Sequence, residues 1–199
     1  MTAEETKLPD NVERDLSIAP TKANIVTLLY ALPGVLMIFL FGAVHGWSEM
    51  SLGLEAFFAP AFFLPVLILG VVAHELIHGA TWAAFAPDGW KSIKFGFNLK
   101  ALMPYANCKT PLRARHYRLG GFMPGLLLGL LPFVFGLLFN IPVVAMFGAF
   151  FTLVAAGDFW VLYTLRRENP GAVVLDHPTR VGCVVLREGS FNASHQGRR

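Results

Sequence analysis

Polar and apolar residues alternate along this chain in long blocks. The first 23 residues are polar and mostly acidic (Glu4, Glu5, Asp10, Glu13, Asp15), with Pro9 and Pro20 as breakers. They read as a flexible cytosolic tail without a cleavable signal peptide, which would open with basic residues and an apolar core. Residues 24–47 hold no Asp, Glu, Lys or Arg and are long enough to cross a bilayer, with a bend expected at Pro33-Gly34. A short outer loop, His45 to Gly53, follows. The next apolar run, Phe57 to Ala86, exceeds what ~30 Å of hydrocarbon needs at about 1.5 Å per residue. Pro60 and Pro65 are therefore expected to break its start, or the helix to protrude.

From Asp88 to Arg118 the pattern changes. Ile93, Phe95, Phe97 and Leu99 alternate with Lys94, Gly96, Asn98 and Lys100, the period of a strand with one apolar and one wet face. Leu102 to Cys108 is expected to return as its partner, held to an edge or a bulge by Pro104. Gly120 to Leu165 then holds one charge, Asp158. One helix of that length would reach roughly 70 Å, so the segment must fold back. Asn140-Ile141-Pro142 is the natural turn, giving a third and a fourth span. In the polar tail from Gly171, Val173 to Leu175 and Val181 to Leu186 read as short strands. The expected fold is an all-α integral membrane protein of four transmembrane helices, with a small interfacial β-hairpin between the second and third. Its parts are a tail (1–23), a membrane domain (24–186) and a disordered end (187–199).

Composition agrees. The chain is 55% hydrophobic and 15% charged, with a mean hydropathy of +0.55, whereas soluble domains average about 25% charged residues. A net charge of +3 raises the question of nucleic acid, and the distribution of charge answers it. The N-terminal tail, the Asp88–Arg118 segment and the C-terminal tail hold three, seven and six of the 16 Lys and Arg. The opposite loops hold none. This positive-inside pattern puts both termini in the cytosol of an inner or plasma membrane protein that binds no nucleic acid. The basic cluster Lys109, Arg113, Arg115, His116 and Arg118 reads as an anchor for lipid headgroups. Cys108 and Cys183 form no CxxC pair and are expected to be reduced thiols.

The candidate chemistry lies in the second span. His74, Glu75 and His78 are the only ionisable side chains from Phe57 to Ala86, and ionisable groups in a bilayer helix cost about 2.5–3.5 kcal/mol each on insertion scales. On a helix His74 and His78 point to one face and reach one metal ion, with Glu75 beside them. The spacing is the zinc-hydrolase pattern His-Glu-x-x-His. A purely structural polar cluster is the alternative reading. A catalytic zinc takes three protein ligands, and Asp158 is the preferred third, because it should lie level with His78 when the helices oppose. His116 and the Asp176-His177 pair are the competitors, and Cys108 is a weaker one. In the expected mechanism Glu75 takes a proton from a zinc-polarised water and passes it to the leaving amine. Asn107 and His116 are the candidate oxyanion stabilisers. The strand Ile93 to Leu99 offers an edge on which an extended membrane-protein or peptide substrate could pair. Haem is a poor fit, since two histidines on one helix face cannot clasp a porphyrin.

The segments His74 to Gly79, Phe95 to Arg118, Ala156-Gly157-Asp158 and Asp176-His177-Pro178 resemble the bacterial membrane family of zincin peptidases, a domain of unknown function, over roughly Phe57 to Leu186. That resemblance implies a zinc peptidase with Glu75 as acid and base. The layout is more distantly similar to the site-2 proteases, although here glycine precedes the third-ligand aspartate and no PDZ-like domain is present. From another class, the chain reads as a non-catalytic zincin-like module that binds metal or membrane proteins without cutting. The sequence leaves the oligomeric state open.

Overall fold

The computed structural model describes residues 8–19, 25, 28–99 and 103–187. In chain order its elements are β1 (Val12–Asp15), α1 (Leu32–His45), α2 (Trp47–Phe58), α3 (Pro60–Ala83), β2 (Ile93–Asn98), β3 (Met103–Cys108), β4 (Leu112–Arg113), α4 (Ala114–Pro124), α5 (Leu131–Leu138), α6 (Pro142–Val154), α7 (Ala156–Leu165), β5 (Val173–Asp176) and β6 (Cys183–Leu186). The architecture is mixed α and β, which corrects the all-α expectation. Two antiparallel sheets overturn it: the hairpin β2–β3, and a four-stranded sheet of order β1-β6-β5-β4. Two strands of the second sheet, β5 and β6, fall on the short strands expected at Val173 to Leu175 and Val181 to Leu186, while β1 and β4 escaped notice because four and two residues are too short for alternation to register. β1 reads Val-Glu-Arg-Asp and owes its conformation to pairing with β6, not to pattern. The expected disordered end lies outside the described residues, save Arg187, whose N–H bonds the Asn11 carbonyl at 3.0 Å.

The chain divides into two compact units. The first gathers Met1–Ala23, His78–Gly121 and Val161–Arg199. Its core includes Trp82, Ile93, Cys108, Leu112, Tyr117, Leu165, Val174 and Val185, and all four residues of β6 are buried. Arg118 donates to the carbonyls of Leu165 and, at 2.6 Å, Glu168, closing the C-terminal end of α7. Arg14 on β1 pairs with the buried Glu168 carboxylate at 2.6 Å.

The second unit comprises Asn24–Ile77 and Phe122–Trp160. Phe41, Phe57, Phe133, Ala145, Met146 and Ala149 form its core. Gly148 on α6 has no room for a Cβ, which would collide with the backbone of Phe133 on α5. The two helices thus touch backbone to backbone, a contact that suits packing in lipid, where no hydrophobic drive joins apolar helices.

Among the described residues three helices are long and apolar enough to cross a membrane: Leu28–His45, Pro60–Ala83 and Ala114–Leu138, the last running through π-helical turns at Gly125–Leu130. The pair α6–α7, bent by 49°, makes a fourth if it is counted as one span. The expected outer loop from His45 to Gly53 is largely helical instead. Gly46 at φ 100° breaks the chain after α1, and α2 begins at Trp47. The long second run divides at Ala59, which is extended (φ −56°, ψ 122°). Pro60 disfavours a helical conformation for the residue before it. The turn expected at Asn140 is present: Asn140 takes φ 50° and α6 opens on Pro142.

Candidate metal centre

The sequence of α3 ends in Val-Val-Ala-His-Glu-Leu-Ile-His-Gly-Ala-Thr-Trp-Ala. Helical pitch puts His74 and His78 one turn apart on one face. Both imidazoles are buried, with 5% and 4% exposure, and Glu75 between them is half-buried.

Asp158 lies in the first turn of α7. Ala155, at ψ 2°, ends α6, and the small residues Ala156 and Gly157 carry the chain through the bend. Gly at such a place is a known cause of a kink. The Asp158 Oδ2 lies 3.0 Å from His74 Nε2, a turn earlier than the His78 level expected from counting residues to the helix ends. His78 follows His74 on the same unbroken helix, and one ligand atom from each of His74, His78 and Asp158 lies within 4.8 Å of the other two.

This donor set fits a divalent metal. Two imidazoles and one carboxylate are the ligand types of catalytic zinc sites. The tautomer of His78 is also set correctly. Its Nδ1 lies 2.9 Å from the Gly120 carbonyl, and a carbonyl only accepts, so Nδ1 carries the proton and Nε2 the lone pair.

The hairpin reaches the same stretch of helix. A Cβ at Gly79, the residue after His78, would lie 2.5 Å from Phe95 Cζ and 3.1 Å from Ile93 Cγ2. Strand β2 therefore crosses α3 where glycine makes space. The Lys109 N–H bond to the Ser92 carbonyl (2.8 Å) fixes the alternation of the β2–β3 ladder. Lys94 and Gly96 exchange bonds with Asn107 and Tyr105, while the N–H groups of Phe95 and Phe97 point to the outer edge. Among the described residues β2 has no strand neighbour other than β3.

The competing candidates sit elsewhere. His116 stacks on Phe85, ring centroids 4.1 Å apart, and receives a hydrogen bond from Arg115 Nε. His177 is buried, and its Nδ1 accepts the N–H groups of Thr179 and Arg180, closing a turn. Asp176 is buried and accepts from the Tyr117 hydroxyl and, at 2.7 Å, from Cys108 N–H. Burial pushes its carboxyl up to about 6, although those two bonds and the His78 imidazole pull the other way. Burial, and then the Asp176 charge, pushes the Cys108 thiol up to about 11. The Cys108 thiol donates to the Thr110 carbonyl. The Asn107 backbone pairs with Lys94 in the β2–β3 ladder. Sequence reasoning missed Gly120 and Trp82. Trp82 could have been found as the next step, four residues on, of the stripe His74–His78.

A buried His-Glu-x-x-His helix with an aspartate brought to it from a second helix has the ligand pattern of a zincin, in a chain whose described residues include three helices apolar enough to cross a membrane. The chain belongs to the family described as "Putative zincin peptidase", whose model matches residues 67–173, just over half of the 199 residues. That stretch includes His74, Glu75, His78 and Asp158. No curated protein and no solved structure matches the chain, so the likeness to site-2 proteases gains no support from these comparisons.

Proposed function

We propose that this protein is a membrane-embedded zinc metalloprotease that hydrolyses peptide bonds of membrane or membrane-associated proteins. The observation that carries the proposal is the convergence of His74, His78 and Asp158 within 4.8 Å on the helix that also bears Glu75. His74, His78 and Asp158 would hold the ion, His78 through Nε2. Zinc bound there supplies Lewis acidity to the scissile carbonyl and to the attacking water. Glu75 is the general base and acid: its carboxylate takes a proton from that water and delivers it to the leaving nitrogen. The apolar walls of the spans limit water around the site. The outward N–H groups of Phe95 and Phe97 support a substrate-holding role for β2, since an extended peptide could pair along that edge.

The four-stranded sheet supports an arrangement in which the N-terminal segment, the segment before α4 and the C-terminal segment share one side of the bilayer. Hydrogen-bonded strands cannot be parted by hydrocarbon. Fourteen of the 16 Lys and Arg fall in those three segments and the other two, Arg115 and Arg118, in the first five residues of α4, which favours the cytosol as that side.

The test is Glu75→Gln in the detergent-purified protein. The variant should keep its zinc and lose peptide cleavage by at least about 100-fold, the scale of general acid–base catalysis. Zinc retained with cleavage unchanged would reject Glu75 as the base. Zinc bound by the wild type without cleavage of any peptide or membrane-protein substrate would favour a non-catalytic metal-binding module.

A further inference from the structure

We infer that Asp176 is a positioning residue for the metal centre, acting through Tyr117 and Trp82 on the His78 imidazole. The inference rests on the metal-site reading above and deepens it. Three rings stand nearly parallel inside the first unit. The His78 imidazole stacks on the Trp82 indole with centroids 5.0 Å apart and planes at 16°. The other face of the series continues to the Tyr117 phenol, 5.2 Å from Trp82 at 15°. Trp82 Nε1–H donates to the Tyr117 carbonyl at 3.1 Å, which stops the indole from rotating. Gly120 makes the stack possible, because a Cβ there would collide with Trp82 Nε1. The same residue gives its carbonyl to His78 Nδ1. One backbone position thus serves both rings.

Asp176 ends the series. Its Oδ1 accepts the Tyr117 hydroxyl and its Oδ2 accepts Cys108 N–H. Cys108 is the last residue of β3 and pairs with Ile93, the first residue of β2. One carboxylate therefore ties the outer end of the ring stack to the root of the hairpin. All the members, His78, Trp82, Tyr117, Cys108 and Asp176, are buried. A buried carboxylate that held no metal would be costly unless its bonds did something. Here they lock the phenol, the phenol backs the indole, and the indole fixes the plane of a metal-binding imidazole. Outer partners of this kind orient ligands and set metal affinity.

The test uses full-length protein in detergent and two readouts. Zinc affinity is measured by chelator competition for wild type, Asp176→Ala, Asp176→Asn and Tyr117→Phe. Val174→Ala is the control: it truncates the same strand at a buried position of the same core and removes none of the hydrogen bonds or ring stacks of the series. Asp176→Ala and Tyr117→Phe should weaken zinc binding about 10–100-fold, the usual range for outer partners of metal ligands. Asp176→Asn, whose one carbonyl oxygen can still accept the Tyr117 hydroxyl but whose amide nitrogen cannot accept Cys108 N–H, should recover part of it, and Val174→Ala should bind zinc as the wild type does. The second readout is nitrogen NMR of histidine in metal-free protein. His78 should hold the Nδ1-protonated tautomer in wild type through the Gly120 carbonyl, and its ring signals should shift and broaden in Asp176→Ala as the stack that fixes the ring plane loosens. Unchanged zinc affinity and an unchanged His78 signal in Asp176→Ala would overturn the inference. So would an equal loss of affinity in Val174→Ala. If wild type binds no zinc while the His78 signal still responds to Asp176→Ala, the positioning stands and the metal-site reading falls.

Discussion

Replacing Asp176 by asparagine should change how stability depends on pH. The native carboxyl titrates at about 6 against an ordinary value of 3.8, chiefly because it is buried. Between those values the folded protein keeps a proton that the unfolded chain has lost. Stability therefore falls as pH rises through that window and levels off above about 6. At about 1.36 kcal/mol per pH unit the full difference is about 3 kcal/mol, of which about 2 lies between about pH 4.5 and 7.5. The Asp176→Asn variant has no proton to lose at this position and should show none of this. The assay is thermal unfolding of both proteins in one detergent with chelator present, so that metal loading does not vary. For a chain of this size about 2 kcal/mol corresponds to about 4–8 °C. The melting temperature of wild type relative to Asp176→Asn should drop by that amount on going from acid to neutral pH. A difference that stays flat across the window would show that the carboxyl is not held in a desolvated site, and would remove the reasoning about its bonds.

Further expectations follow from the hairpin and the thiols. Phe97→Pro removes an N–H that points to the outer edge of β2 and leaves the ladder to β3 intact. It should cut peptide cleavage at least about 10-fold, on the premise that edge pairing holds the substrate, with zinc content unchanged; full cleavage by this variant would dismiss the edge as the substrate's seat. Cys108 and Cys183 are both buried, and Cys108, pushed up to about 11 from an ordinary 9.0, holds about 100-fold less thiolate than a normal cysteine. Maleimide should label neither thiol in the native protein at neutral pH and both after denaturation. Rapid native labelling would contradict the buried placement.

Much of the candidate site was legible in the sequence, for a physical reason. His74, Glu75 and His78 stand alone in an apolar run where charge is expensive, and the pitch of a helix fixes their common face. Asp158 was legible by the same isolation, as the single charge between Gly120 and Leu165. The histidine it meets was not. Counting along straight helices sets it level with His78, whereas α7 is bent 49° from α6 just before it and its carboxylate meets His74. The hairpin was legible because six residues of strict alternation carry a strong period. The four-stranded sheet was not, because Leu112–Arg113 and Val12–Asp15 gain their strand conformation from distant partners. Asp176 stands out in the sequence only as a possible ligand. Its true partners, Tyr117 and Cys108, are 59 and 68 residues away in the chain, a separation that no local pattern encodes.

Zinc content of the purified protein, compared among wild type, His78→Ala and Asp158→Ala, bears most directly on the metal centre. A cation held by all three side chains requires one equivalent of zinc in wild type and little in either variant. Zinc retained in full by Asp158→Ala would mean that the carboxylate of α7 is only a hydrogen-bond partner of His74, and that no centre of three protein ligands exists in that form.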